Sequence, residues 1–191
     1  MGRARFNRHQ VLEDATVLFW QHGYHGASMQ SVFKATGLKP GSIYLAFGSK
    51  EGLFEATLEQ YTEQLLDEFK QTLEQAESIG SGLCQLLYAI IDESQQCHYC
   101  SCFLIKSQLE LAFHDNALAQ SAQRQLQKIE ALFEEYLIQA YGQTQGSIYH
   151  AHLMLQIFGL RVYGYTDRDQ TTLTTMLQNS LPWLPWQAQA A

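Results

Sequence analysis

Apolar residues recur at spacings of three and four along nearly the whole chain, which places them on one face of successive helices and leaves no alternating stretch for strands. Val11, Leu12, Ala15, Leu18 and Phe19 make the first stripe. Its start carries Asn7 as a cap, Gln10 three residues on for a capping box, and Phe6 with Val11 as a staple; Gly23 stops it. A short helix follows, capped by Ser28, with Met29, Val32 and Phe33 as its buried face. It ends at Gly37, where a left-handed residue is needed and Leu38 supplies the accompanying apolar contact. Pro40 at a first helical position opens another short helix, 40–47, broken by Gly48-Ser49. Ser49 caps a long one, whose apolar positions Leu53, Phe54, Leu58, Tyr61, Leu65, Leu66, Phe69 and Leu73 continue to about Gln75. That is roughly 40 Å of helix at 1.5 Å per residue. Three helices ending near Phe47 form too small a core alone, so the long helix must serve both that head and the rest of the chain.

Gly80-Ser81-Gly82 reads as a break, and five more helices are predicted beyond it: 83–95, 102–112, 116–141, 147–165 and 169–181. The helix 116–141 is capped by Asp115 and stopped by Gly142, and the last is closed by Pro182. In 147–165 the apolar residues Ala151, Leu153, Met154, Leu155, Ile157, Phe158, Leu160 and Val162 surround the axis, so that helix is buried on most sides, either in the monomer core or against a second subunit. The fold class expected is all-α, with a helix-turn-helix domain at 1–48 and a helical domain at 49–191.

Net charge is −7, which by itself argues against a nucleic-acid partner, but the charges are unevenly placed. Residues 1–50 hold six Lys/Arg (Arg3, Arg5, Arg8, Lys34, Lys39, Lys50) against two acids, a balance of +4 that leaves −11 for the rest. A cationic head on an acidic body fits a protein whose head alone meets a polyanion.

The series Gly23, Gly26, Ser28, Gly37, Gly41-Ser42-Ile43-Tyr44, Phe47 and Lys50-Glu51-Gly52-Leu53 resembles, in register and without a gap, the TetR/AcrR family of bacterial one-component repressors. The resemblance covers about the first sixty residues; Ser101-Cys102-Phe103-Leu104 running to Glu110-Leu111 is similar to a segment found in a subset of these regulators. It implies a homodimer formed through the last two long helices, with Leu155, Phe158, Leu173 and Leu177 as candidate contacts. It also implies a repressor of a palindromic operator, released when an inducer bound in the body shifts the long helix and changes the separation of the two heads.

A recognition helix needs small residues where its backbone meets phosphate and polar side chains for base edges. Gly41 and Ser42 meet the first need, and Gln30, Lys39 and Ser42 are candidates for the second. By the family's pattern Tyr44 and Lys50 bind phosphates on either side of the groove, and the helix start at Ser28 offers N–H groups to another. Ile43 and Phe47 are core, and Leu45 and Ala46 either touch thymine methyls or pack. Lys39-Pro40 departs from the family, which often has a hydroxyl cap and then a basic residue there; the helix at Pro40 therefore starts without a side-chain cap.

Cys97, His98, Cys100 and Cys102 crowd together, yet lack the paired knuckles of a structural zinc site, so no metal or cofactor is expected. Cys102 opens a helix, where the dipole favours thiolate, so it is a candidate sensor of a thiol-reactive inducer; the alternative is inert packing. His150 and His152 face different sides of their helix and share no ligand. Tyr61, Tyr88, Cys102, Phe103, Phe113, Tyr136 and Tyr149 are candidates for lining an inducer pocket. No HExxH, GxSxG, P-loop or dinucleotide fingerprint is present, so an enzyme is not expected; the competing function is a DNA-binding regulator governed by a protein partner with no small ligand. With neither a signal peptide nor a membrane-length apolar run, the expected location is the cytoplasm.

Overall fold

The computed structural model describes residues 6–96, 101–113, 116–166 and 168–186, and among these it has nine helices and no strand. They are α1 (Arg8–Gly26), α2 (Met29–Thr36), α3 (Pro40–Phe47), α4 (Lys50–Gln75), α5 (Ile79–Ser94), α6 (Phe103–Leu111), α7 (Asn116–Tyr141), α8 (Gln143–Tyr163) and α9 (Gln170–Ser180). The chain divides into two compact units, one of Met1–Gln64 with Cys102–Gln127, the other of Leu65–Ser101 with Lys128–Ala191. The expected head at 1–48 thus lies in a unit that also takes in the start of α4, all of α6 and the start of α7.

The first unit is built on rings. Phe54 meets Phe19 edge-on at 5.0 Å, Tyr24 at 5.0 Å and Phe103 at 5.8 Å, and Tyr61 sits 5.4 Å from Trp20 and 5.6 Å from Phe103. Val32, Ile43, Leu53 and Leu58 are completely buried with them. Burying a side chain of this size contributes about 1.5–3 kcal/mol, which is how three short helices gain a secure core from α4 and α6. Three helix starts here are capped locally. Asn7 accepts the Gln10 N–H at 3.4 Å, Ser28 the Ser31 N–H at 3.1 Å and Ser49 the Gly52 N–H at 3.1 Å. The capping box at α1 closes only halfway, since the Gln10 amide turns to Asp14 instead. Phe6 leans towards the Phe47 ring, 6.5 Å away.

In the second unit two expected boundaries move. Helix α5 begins at Ile79, capped by Ser78, so Gly80-Ser81-Gly82 is its first turn and not a break. Helix α8 begins at Gln143, directly after Gly142, rather than at Ser147. Gly80 and Gly82 of α5 and Gly146 of α8 are where another element comes close. The tail Leu181–Trp186 also packs back: Trp183 stacks on Tyr149 at 3.9 Å, Trp186 meets Tyr88 edge-on at 5.7 Å, and Leu181 and Leu184 are buried. Arg161, 6% exposed on α8, is held by Glu93 of α5 at 2.6 Å, so the buried cation has its counter-ion. No described helix is long and apolar enough to cross a membrane. The Asp115 cap, Arg3 and Arg5 lie outside the described residues.

Candidate nucleic-acid interface

Helices α2 and α3 are joined by a turn that the sequence dictates. Gly37 takes φ 66° and ψ 6°, a conformation a Cβ disfavours, and Lys39 hands over to Pro40 at the start of α3 with no side-chain cap, as the sequence predicts. Short as it is, α3 is strongly sided. Ile43 is wholly buried, Ser42 and Phe47 are half-buried, and Tyr44 and Leu45 are 47% and 85% exposed. Phe33 of α2 meets the Tyr44 ring edge-on at 6.3 Å. Gly41 is exposed with open space where a Cβ would stand, so nothing of the chain itself covers the backbone there. Gln30, Lys34 and Lys39 are exposed on the same helix-turn-helix.

Lys50 is held more closely than the sequence suggests. Its ammonium lies over the Tyr24 ring, 4.3 Å from the centroid, while the Tyr24 hydroxyl donates to Glu51 at 2.7 Å. Burial lowers the Lys50 pKa, opposed by the carboxylates of Glu51 and Glu110. The hydrogen bond from Tyr24 is the main reason that the Glu51 carboxyl sits below its usual range. A Cβ at Gly52 would overlap the Phe47 carbonyl oxygen, so glycine is what lets α4 start so close behind α3.

Sequence reasoning missed three residues beside this surface. Arg8 places its guanidinium 4.6 Å over Phe47, at the end of α3. Lys106 and Glu110 of α6 reach the end of α1, with Lys106 Nζ 2.7 Å from the Trp20 carbonyl and Glu110 accepting from the Tyr24 and His25 N–H groups at 3.0 and 2.9 Å. Arg8 was visible in the basic block of the head. The other two have a local signature, opposite charges four apart on α6, but their partner is far off in sequence.

The candidate pocket residues are divided between the two units. In the first, Tyr61, Cys102 and Phe103 come together, with the Tyr61 hydroxyl 3.9 Å from Cys102 Sγ. Phe113 does not join them: α6 ends at Leu111, and Phe113 falls in the following turn, 92% exposed. In the second, Tyr88 packs on Trp186, Tyr149 on Trp183, and Tyr136 donates to Glu74 at 2.9 Å beside a polar groove of about 640 Å³. Cys102 is buried at the cap of α6, and Cys84 is pushed up to about 11 by burial, which makes it a poor thiolate. Cys97, His98 and Cys100 lie outside the described residues; among the described ones no three His, Cys, Asp or Glu come together to hold a metal.

Of the candidate dimer contacts, Leu155 is 69% exposed and Phe158 half-buried, whereas Leu173 and Leu177 are each 3% exposed and belong to the chain's own core. The inward pair sits on the face of α9 that packs on α5 and α8. The apolar residues that α8 and α9 turn to solvent are Ile148, Leu155, Val162, Tyr163 and Met176.

The chain is similar to known proteins along most of its length. The model of the bacterial regulatory proteins of the tetR family matches residues 11–57. The HTH-type transcriptional repressor ComR of Escherichia coli (strain K12) is 30% identical over 150 residues, 77% of this chain and 70% of that protein. The uncharacterized HTH-type transcriptional regulator YezE of Bacillus subtilis (strain 168) is 28% identical over 147 residues, 76% of each. Among solved structures, a cysteine-substituted variant of the TetR family transcriptional regulator CifR, complexed with 26-bp double-strand operator DNA, superposes with a TM-score of 0.82 at 26% identity, over 97% of this chain and 100% of that one.

Proposed function

This chain belongs to the TetR family of bacterial transcriptional regulators, and from that premise we propose that it is a repressor that binds a palindromic operator as a homodimer and leaves it when a small-molecule or thiol-reactive inducer binds. The observation that carries the DNA reading is the sidedness of α3, where Tyr44 points outward from a helix anchored by a fully buried Ile43 and flanked by exposed Gln30, Lys34 and Lys39. On this reading the Gly41 backbone and Tyr44 hydroxyl meet phosphate, Gln30, Lys39 and Ser42 face base edges, and Lys50 meets the next phosphate, a role that the exposure of Gly41, Tyr44, Gln30 and Lys39 supports. The similarity to ComR, a transcriptional repressor, and to CifR, solved on operator DNA, supports the same role.

What supports the dimer is the outward apolar stripe of α8. Ile148, Leu155 and Val162 fall seven residues apart and so share one face, beside a groove of about 130 Å³ lined by Gly159, Leu160, Tyr163, Leu173 and Met176. A run of exposed apolar residues on one helix marks a surface that another chain covers. The inducer rests on the family's pattern, with Tyr61, Cys102 and Phe103 as the candidates that lie together.

Operator selection from random duplexes tests the reading. The selected site is expected to be two-fold symmetric, with half-site centres about one helical turn or a multiple apart. Lys50→Ala should weaken binding to every sequence and lower the salt slope by about one, while Gln30→Ala changes preference at one base pair. Leu155→Glu should give a folded monomer that no longer binds the symmetric site. Sedimentation of the unmodified protein as a monomer at micromolar concentration would overturn the dimer.

A further inference from the structure

Helix α1 is interrupted at Gly23, which leaves the helical region at φ 74° and ψ 170° before Tyr24–Gly26 resumes it. A break of this kind strands carbonyls on its N-terminal side and N–H groups on its C-terminal side. Helix α6 attends to both. Lys106 Nζ donates to the Trp20 carbonyl at 2.7 Å, while the two oxygens of Glu110 accept the N–H of Tyr24 at 3.0 Å and of His25 at 2.9 Å. The signs are those a helix dipole favours, a cation at the closing end and an anion at the opening end. A Cβ on residue 23 would also stand 2.6 Å from Glu110 Oε2, so glycine leaves the carboxylate room to cap where it does.

The residue so capped is the one that carries Lys50. Tyr24 is 6% exposed; its ring packs 5.0 Å from Phe54, its hydroxyl bonds Glu51, and its face holds the Lys50 ammonium at 4.3 Å. Glu110 therefore lies two contacts from a proposed phosphate ligand, through a backbone N–H and a ring, without any place of its own on the DNA-facing surface.

We infer that Glu110 is a positioning residue for DNA binding: by capping the Tyr24–Gly26 turn it fixes the aromatic platform on which Lys50 is presented to phosphate. The inference rests on the reading of Lys50 as a phosphate ligand. It runs against simple electrostatics, which gives the opposite sign. Glu110 acts on the charge of Lys50, so removing an acid there should by itself tighten binding to a polyanion. Loss of positioning weakens it.

The test uses the full chain and its selected operator duplex across a salt series, with wild type, Glu110→Ala, Lys50→Ala and the double variant. All are measured at a temperature where circular dichroism shows the wild-type helical signal. Glu110→Ala is expected to bind on the order of ten-fold more weakly, with a salt slope lower by about one, and Lys50→Ala should cost little more once Glu110 is gone. Glu110→Gln keeps the length and one accepting oxygen, so it should fall between, and it carries the same comparison if the alanine variant does not fold. Unchanged or tighter binding by these Glu110 variants, or losses from Glu110→Ala and Lys50→Ala that multiply in the double variant, would overturn the inference. An operator affinity and salt slope untouched by Lys50→Ala would instead bring down the phosphate reading, and the inference with it.

Discussion

Gly37 and Gly48 of the first unit and Gly80, Gly82 and Gly146 of the second do opposite work, although Gly52, which is short of space in the first unit, and Gly142, which has a positive φ in the second, cross that division. In the first, Gly37 and Gly48 take φ of 66° and 79° with open space where a Cβ would go, so their constraint is the backbone conformation alone. In the second, Gly80, Gly82 and Gly146 sit inside helices, where a Cβ would come 2.7 Å from Pro185 Cδ, 3.1 Å from the Leu73 Cα and 2.6 Å from the Ile138 Cα. There the constraint is room between elements. A glycine that ends a helix is announced by its neighbours in sequence. A glycine that lets two elements touch is announced only by the element that arrives.

The largest effect that can break this comparison is expected at Gly146. The atoms a Cβ would meet there are the backbone N and Cα of Ile138 and the carbonyl oxygen of Leu137, none of which can swing aside as a side chain can. Overpacking of that kind costs about 1–3 kcal/mol or more, against a gain of about 1 kcal/mol from alanine's better helix propensity. Gly146→Ala should therefore lower stability by roughly 2 kcal/mol and the melting temperature by several degrees. Gly82→Ala should be milder, since its contacts include the movable Leu73 Cδ2. A Gly146→Ala protein that melts at the wild-type temperature would show that α7 and α8 do not cross this closely.

At Gly37 the effect should be smaller and of another kind. Alanine must take a left-handed conformation, which costs about 1–2 kcal/mol, while asparagine visits that region more readily and should cost less than half as much. At Gly146 the order reverses, because asparagine is the larger residue. Denaturant unfolding of the four variants sharpens the comparison: if alanine is better tolerated than asparagine at both positions, Gly37 is constrained by space after all.

The same distinction decides what was legible in the sequence. Ser28, Gly37, Pro40 and Ser49 act on groups within four residues of themselves, so the helix-turn-helix and the starts of α2, α3 and α4 could be read directly. Gly80-Ser81-Gly82 looked like a break for want of any sign that Pro185 and Leu73 would pack on it. Glu110 meets Tyr24 across 86 residues of sequence, so no spacing rule could pair them. Helix α8 was read as apolar around its axis and so buried on most sides, yet within the chain Ala151, Leu155 and Val162 are exposed. Which residues turn inward, Leu153, and which outward, Leu155, depends on where α5 and α9 lie. Of the pocket candidates Tyr61, Cys102 and Phe103 lie together in the first unit, while Tyr149 and Tyr88 of the second pack on Trp183 and Trp186 of the tail, which residue type alone did not announce.

Gly159 belongs to neither class within one chain, and that makes it the finest probe. It lies inside α8 without a positive φ, no atom stands within 4 Å of where its Cβ would be, and it lines the outward groove with Met176 and Tyr163. Glycine inside a helix is worse than alanine by about 0.5–1 kcal/mol, so in an isolated chain Gly159→Ala should stabilise by that amount. A second copy seated on the groove changes the sign. If the partner's helix approaches the bare backbone there, as the helices of the second unit approach Gly82 and Gly146, the added methyl props the two chains apart. The variant should then dissociate at a higher concentration than wild type in sedimentation, and its melting temperature should depend more steeply on protein concentration in the micromolar range. A variant that gains stability at every concentration, with dimer dissociation unchanged, would place the contact elsewhere along the stripe of Ile148, Leu155 and Val162 and leave Gly159 as an ordinary surface position.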